Sequence, residues 1–311
     1  MAQFVQTRAS SKKRDFAWLA GYASLWIGCV LLLRGRSPQS LGEQIALFAI
    51  FGIAFPIVVI VLTLGYPELL VRVRDPRRET PALLGWCAVL FVYFIFVRQF
   101  VAHGLPGEHS AQPVSLILKL LMFVALPIAG MMMLFHYKIR ELLPATWSVT
   151  AILPAFWLSV VMLGFQCVFG NGLSQIRATH LSLPLLLFYA AIAFIWLAIE
   201  AGLVEEFFFR TLLQERLVRY FESEIAGIVI AALLFGLMHS PGFYLRTAAA
   251  GEALGAHPSV VVAVAYSIVN TSAAGIFFGT LWARTRNLAV VIIVHASLDL
   301  LPGLHDVVRH F

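Results

Sequence analysis

Two adjacent carboxylates and a guanidinium, in Glu205-Glu206-Phe207-Phe208-Phe209-Arg210, close a strongly apolar stretch that begins at Leu183. A charge in hydrocarbon costs from ~2.5 to well over ~10 kcal/mol, depending on the scale. Such groups persist where they pair, line a wet cavity or do chemistry. On a helix, Glu206 and Arg210 are four residues apart on one face, with the acid on the N-terminal side, the better orientation for an ion pair. Glu205 points roughly 100° away, and no Lys or Arg stands three or four residues from it. The spacing therefore assigns Glu206 and Arg210 to structural support and Glu205 to chemistry.

Two further polar sets lie in apolar segments downstream. Phe235 and His239 are one helical turn apart, as are His295 and Asp299. Glu205, His239, His295 and Asp299 are thus offered by three separate segments, and intramembrane acids and histidines face a bundle interior. Bringing them together in one cavity would satisfy all of them. Two His and one Glu could also hold zinc at Glu205, His239 and His295, leaving a fourth position for water. The chain contains no His-Glu-x-x-His, so the metal-free reading stands first and zinc second. Phe235 is read as packing support. The run Phe207 to Phe209 is expected to face lipid and neighbouring helices, and Lys119 to snorkel or pair inside the bundle; Glu200 is a second polar residue on the segment of Glu205, without an assigned role.

These residues need helices to position them. Of 311 residues, 60% are hydrophobic and 12% charged, where a soluble domain carries about 25% charged residues. The apolar stretches are long and continuous, which predicts an all-α polytopic membrane protein with eight or nine transmembrane helices. The spans are expected over 16–33, 43–64, 81–100, 114–135, 149–169, 183 onward, 225–239, 259–282 and 288–301. The last is short and ends at the Pro302-Gly303 breaker. A helical hairpin protruding past Arg210 would bring Glu205 and His239 to one depth. Cys29, Cys87 and Cys167 lie in apolar segments without metal spacing and read as small buried hydrophobes.

The net charge of +6 reads as topology and not as nucleic-acid binding. Counted along the loops, 15 of the 22 Lys and Arg fall on the side of the N-terminus, which predicts a cytoplasmic N-terminus. The organisation expected is a cytoplasmic tail over 1–15, accessory transmembrane helices over 16–170, a functional core over 183–301 and a C-terminal tail over 302–311. The first span is read as a retained anchor, not a signal peptide.

The three polar sets, in this order, resemble the Glu-Glu-x-x-x-Arg, Phe-x-x-x-His and His-x-x-x-Asn/Asp motifs of the CPBP intramembrane proteases, the group that includes the CAAX prenyl endopeptidase Rce1 and related bacterial proteins. The resemblance covers about Leu183 to Leu301. It implies peptide-bond hydrolysis within the membrane without an acyl-enzyme. Glu205 would activate a water, His239 would hold and polarise it, and His295 with Asp299 would orient the substrate carbonyl and stabilise its oxyanion. At the last position this chain has Asp, and an ionised Asp cannot donate to an oxyanion. Asp299 would have to be protonated or act by orienting His295.

The resemblance further implies a membrane-associated protein or peptide as substrate and the bilayer as surroundings, and the Ala- and Arg-rich composition points to a bacterial inner or plasma membrane as location. Two other readings use the same residues differently. One is a non-catalytic scaffold or pseudo-protease. The other is a transporter with a carboxylate–histidine proton relay, which would lack the repeat between halves that many transporters show.

Overall fold

The computed structural model describes residues 12–37, 39–67, 69, 71–97, 100, 108–143, 149–245, 254 and 258–310. The tail 1–11, residues 101–107 with His103, and most of the connector 246–257 with His257 lie outside the described residues. Among the described residues the regular structure is helical, with no strand.

Nine of the helices described are long and apolar enough to cross a membrane: α1 Lys12–Leu33, α2 Leu41–Leu62, α3 Pro76–Val97, α4 Gln112–Phe135, α5 Thr150–Val168, α6 Leu183–Phe221, α7 Glu224–Leu245, α8 Val260–Thr285 and α9 Leu288–Arg309. Short helices Ile139–Leu142 and Gly172–Ala178 flank α5. This is the all-α, polytopic membrane architecture the hydropathy predicts.

Three features differ from the sequence expectation. First, α7 runs through Pro241 to Leu245, where the span was expected to end at residue 239. Second, α9 does not stop at Pro302-Gly303 but continues to the C-terminal residues, so the expected tail is helical. Packing explains this, since Leu304 and Val307 are buried in a cluster with Ala193 of α6. A proline inside a membrane helix is tolerated when neighbouring groups compensate the backbone. Third, Phe207, Phe208 and Phe209 are all fully buried and do not face lipid. Hydropathy alone cannot separate a lipid-facing ring from a protein-facing one.

The chain divides into two compact units. The first comprises Met1–Val61, Arg72–Phe100 and Leu212–Ala283. Its core gathers Tyr22, Trp26 and Leu33 of α1 with Val229 of α7 and Tyr266 and Val269 of α8. The Trp26 indole donates to the Val269 carbonyl at 3.1 Å, and the Tyr22 and Ser272 hydroxyls meet at 2.9 Å. Helices α7 and α8 approach closely: a Cβ on Gly275 would sit 2.8 Å from the Ala232 Cα.

Asp75 caps α3 by accepting from the Arg78 amide, and Pro76 follows at the first turn. Glu79, fully buried, accepts the Asp75 amide at 2.7 Å and the Arg216 Nε at 3.0 Å. Residues 215–221 end at Glu222 in the left-handed region (φ 49), and the Ser223 hydroxyl accepts from the Ala226 amide to start α7. This makes the helical hairpin that the sequence suggests.

The second unit comprises Leu62–Val71, Val101–Thr211 and Arg284–Phe311. Within it α9 packs against α5, against the short helix Gly172–Ala178, and against residues 183–203 of α6. Helix α6 is not uniformly α-helical. Residues Ala198–Leu203 and Phe207–Gln214 are π-helical and bracket the three α-helical residues Val204–Glu206. Wide turns of this kind are rare and recur at functional sites.

Candidate active site

Glu205 and Glu206 sit between the two π-helical stretches of α6. Glu206 points inward with no exposure and accepts from Arg210 Nε at 2.8 Å, and Arg210 is likewise fully buried. The expected ion pair is therefore present. Glu205, one residue earlier, is half-buried, so the two neighbouring acids occupy different surroundings.

The second carboxylate oxygen of Glu206 does something the spacing did not reveal. Its Oε1 lies 2.7 Å from His295 Nδ1 on α9. The other ring nitrogen of His295, Nε2, lies 3.3 Å from Asp299 Oδ2 one turn further along the helix. The result is a continuous polar chain, Arg210–Glu206–His295–Asp299, built from two helices and buried except at its Asp299 end, where the side chain is 38% exposed.

An imidazole carrying a proton on each nitrogen can serve both carboxylates at once. Carboxylate–imidazole contacts of this kind fix ring orientation. With both nitrogens facing acids, His295 can donate to a third group only by giving up one contact. The contact to Asp299 is the longer and the more exposed of the two.

The contact that lets α9 come this close to α6 is made by a small residue. A Cβ on Gly202 would stand 3.0 Å from the Ile292 carbonyl oxygen, so the absence of a side chain eases the approach of α9 one turn before His295. A second charged pair lies in the same unit. The Lys119 ammonium of α4 is bonded to the Glu200 carboxylate of α6. The sequence raised both residues, but not as partners.

His239 and Phe235 belong to the other unit. Nδ1 of His239 lies 2.8 Å from the Phe235 carbonyl oxygen, and the two rings are in contact, tilted, at a centroid distance of 4.7 Å. Since a carbonyl only accepts, Nδ1 carries the hydrogen, and a neutral ring then has its lone pair on Nε2. Phe235 is buried, and it helps to hold the histidine through both its ring and its main chain.

Of the sequence candidates, the second unit thus brings Glu206, Arg210, His295 and Asp299 into contact, with Glu205 adjacent in the chain. Among the described residues, no three His, Cys, Asp or Glu side chains are grouped as metal ligands.

Residues 186–301 match the family described as Type II CAAX prenyl endopeptidase Rce1-like. The matched segment contains Glu205, Glu206, Arg210, Phe235, His239, His295 and Asp299, and α1 to α5 lie outside it. No curated protein and no solved structure matches the chain. Over that segment the chain is similar to a protease family, and the described residues include nine helices long and apolar enough to cross a membrane.

Proposed function

We propose that this protein is an intramembrane endopeptidase that hydrolyses a peptide bond of a membrane-associated protein or peptide by water activation at Glu205. The observation that supports it best is the buried chain Arg210–Glu206–His295–Asp299 beside Glu205, within the segment that matches the protease family. A site that must stabilise developing negative charge needs donors held rigidly in a water-poor place. An imidazole clamped by two acids meets that requirement.

In this mechanism the Glu205 carboxylate takes a proton from water, and the resulting hydroxide adds to the substrate carbonyl carbon. The carbonyl oxygen becomes an oxyanion. It displaces Asp299 from His295 Nε2, which then donates to it. Asp299 positions the imidazole until that moment. The proton held by Glu205 passes to the departing amide nitrogen as the C–N bond breaks, releasing an acid and an amine without a covalent enzyme intermediate. The Phe-x-x-x-His motif assigns His239, with its lone pair on Nε2, to holding and polarising the water. No metal takes part. The N-terminus is cytoplasmic and the membrane is a bacterial plasma membrane; the loop charges and the Ala- and Arg-rich composition support these assignments.

The test is a peptide-level comparison of membrane fractions from cells carrying the wild type and Glu205→Gln. The expected result is a set of cut products that disappears in the variant while the protein still inserts at wild-type level. Identical products in both would overturn the proposal.

A further inference from the structure

The pair Lys119–Glu200 has no part in the chemistry above, yet it places two charges inside apolar helices. Lys119 is 7% exposed. Its ammonium is bonded to the Glu200 carboxylate and faces the Glu200 carbonyl oxygen at 3.5 Å. Charges at such positions are rare and mark functional sites. Here the pair ties α4 to one particular stretch of α6, the six π-helical residues Ala198–Leu203, which pack against Glu108–Leu120 and against α9. The same stretch is held from the α9 side by Gly202, whose backbone lies against Ile292.

The conformation of this stretch decides where the next residues point. A π turn takes one more residue per hydrogen-bonded ring than an α turn, so each residue advances less around the axis. Over six residues the difference rotates everything that follows by roughly a quarter turn. Val204, Glu205 and Glu206 follow immediately. Were Ala198–Leu203 to relax to an α-helix while α9 stayed in place, Glu206 would swing away from His295 and Glu205 would change direction with it.

We propose that the Lys119–Glu200 pair is a positioning element of the active site, clamping residues 198–203 in the π-helical form that aims Glu205 and Glu206. This rests on the protease reading above. It gives a role to α4, which lies outside the family match and is tied to the base-bearing helix by this pair. Lys119 and Glu200 are positioning residues and touch neither substrate nor water in the reaction.

The test uses the purified full-length protein in detergent and, as probe, the membrane peptide whose cut disappears in Glu205→Gln. The double variant Lys119→Met/Glu200→Gln removes both charges together, so no lone charge is left buried. It is expected to melt near the wild-type temperature and to lose kcat by roughly 10- to 100-fold, the scale of a small misplacement of a reacting group. KM is expected to stay close to wild type. The exchanged pair, Lys119→Glu/Glu200→Lys, and the conservative variant Lys119→Arg are expected to keep most of the kcat that the neutral pair loses.

A neutral double variant with wild-type kcat overturns the clamp, as does a loss of rate that only follows loss of folded protein. If Glu205→Gln itself cuts normally, the protease reading fails and the clamp with it. If Glu205→Gln is inactive and the neutral pair is fully active, only the clamp fails.

Discussion

Glu206 Oε1 and His295 Nδ1 stand 2.7 Å apart across 89 residues of chain, with the acid fully buried. The same carboxylate receives Arg210 on its other oxygen. One acid therefore couples two helices and orients the imidazole of His295.

Replacing Glu206 with Ala deprives the fully buried Arg210 guanidinium of that carboxylate. Removing one member of a buried ion pair costs about 3–5 kcal/mol. Thermal unfolding in detergent is expected to move clearly downward for Glu206→Ala. The neutral double variant Glu206→Gln/Arg210→Met should regain much of the loss. A single variant that melts with the wild type would show the pair to be energetically idle.

At position 299 the prediction separates orientation from charge. Asn can still accept the His295 Nε2–H through its amide oxygen, whereas Ala removes the acceptor that now lies 3.3 Å from that nitrogen. Asp299→Asn is expected to cut within a few-fold of wild type, and Asp299→Ala to lose roughly 10- to 100-fold, as expected for a loosened catalytic group. Equal rates for the two variants would remove Asp299 from the mechanism.

The rival zinc chemistry makes its own demand. Incubation of the purified protein with a strong chelator is expected to leave the Glu205-dependent cut unchanged. Loss of cutting that zinc restores would instead recast Glu205, His239 and His295 as ligands around an activated water.

Helix α8 owes its close approach to α7 to a missing side chain. A Cβ at Gly275 would press on the Ala232 backbone at 2.8 Å, and larger groups press harder. Overpacking of this kind costs typically about 1–3 kcal/mol, so Gly275→Val should unfold at lower temperature or lower denaturant than the wild type. An unchanged transition would mean that the two helices separate without cost.

Much of this architecture was legible without coordinates because its cause is local. A continuous apolar run must bury its backbone polar groups in a helix wherever water is absent, so the nine segments could be read from composition and length. The Glu206–Arg210 pair was also legible, since four residues on a helix always bring two side chains to one face. The family motifs marked Glu205, His239, His295 and Asp299 by type and order.

What those rules could not reach was set by contacts between helices. No spacing rule links position 206 to 295 or position 119 to 200, because each link depends on how two helices lie against each other. The fully buried Phe207 to Phe209 and the continuation of α9 past Pro302 have the same origin: neighbouring side chains supply contacts that overrule local preference. The π-helical turns around Glu205 belong here too. An α-helix is the cheaper local choice for that sequence, and Ala198–Leu203 is contacted from outside its own helix by Lys119 of α4 and Ile292 of α9.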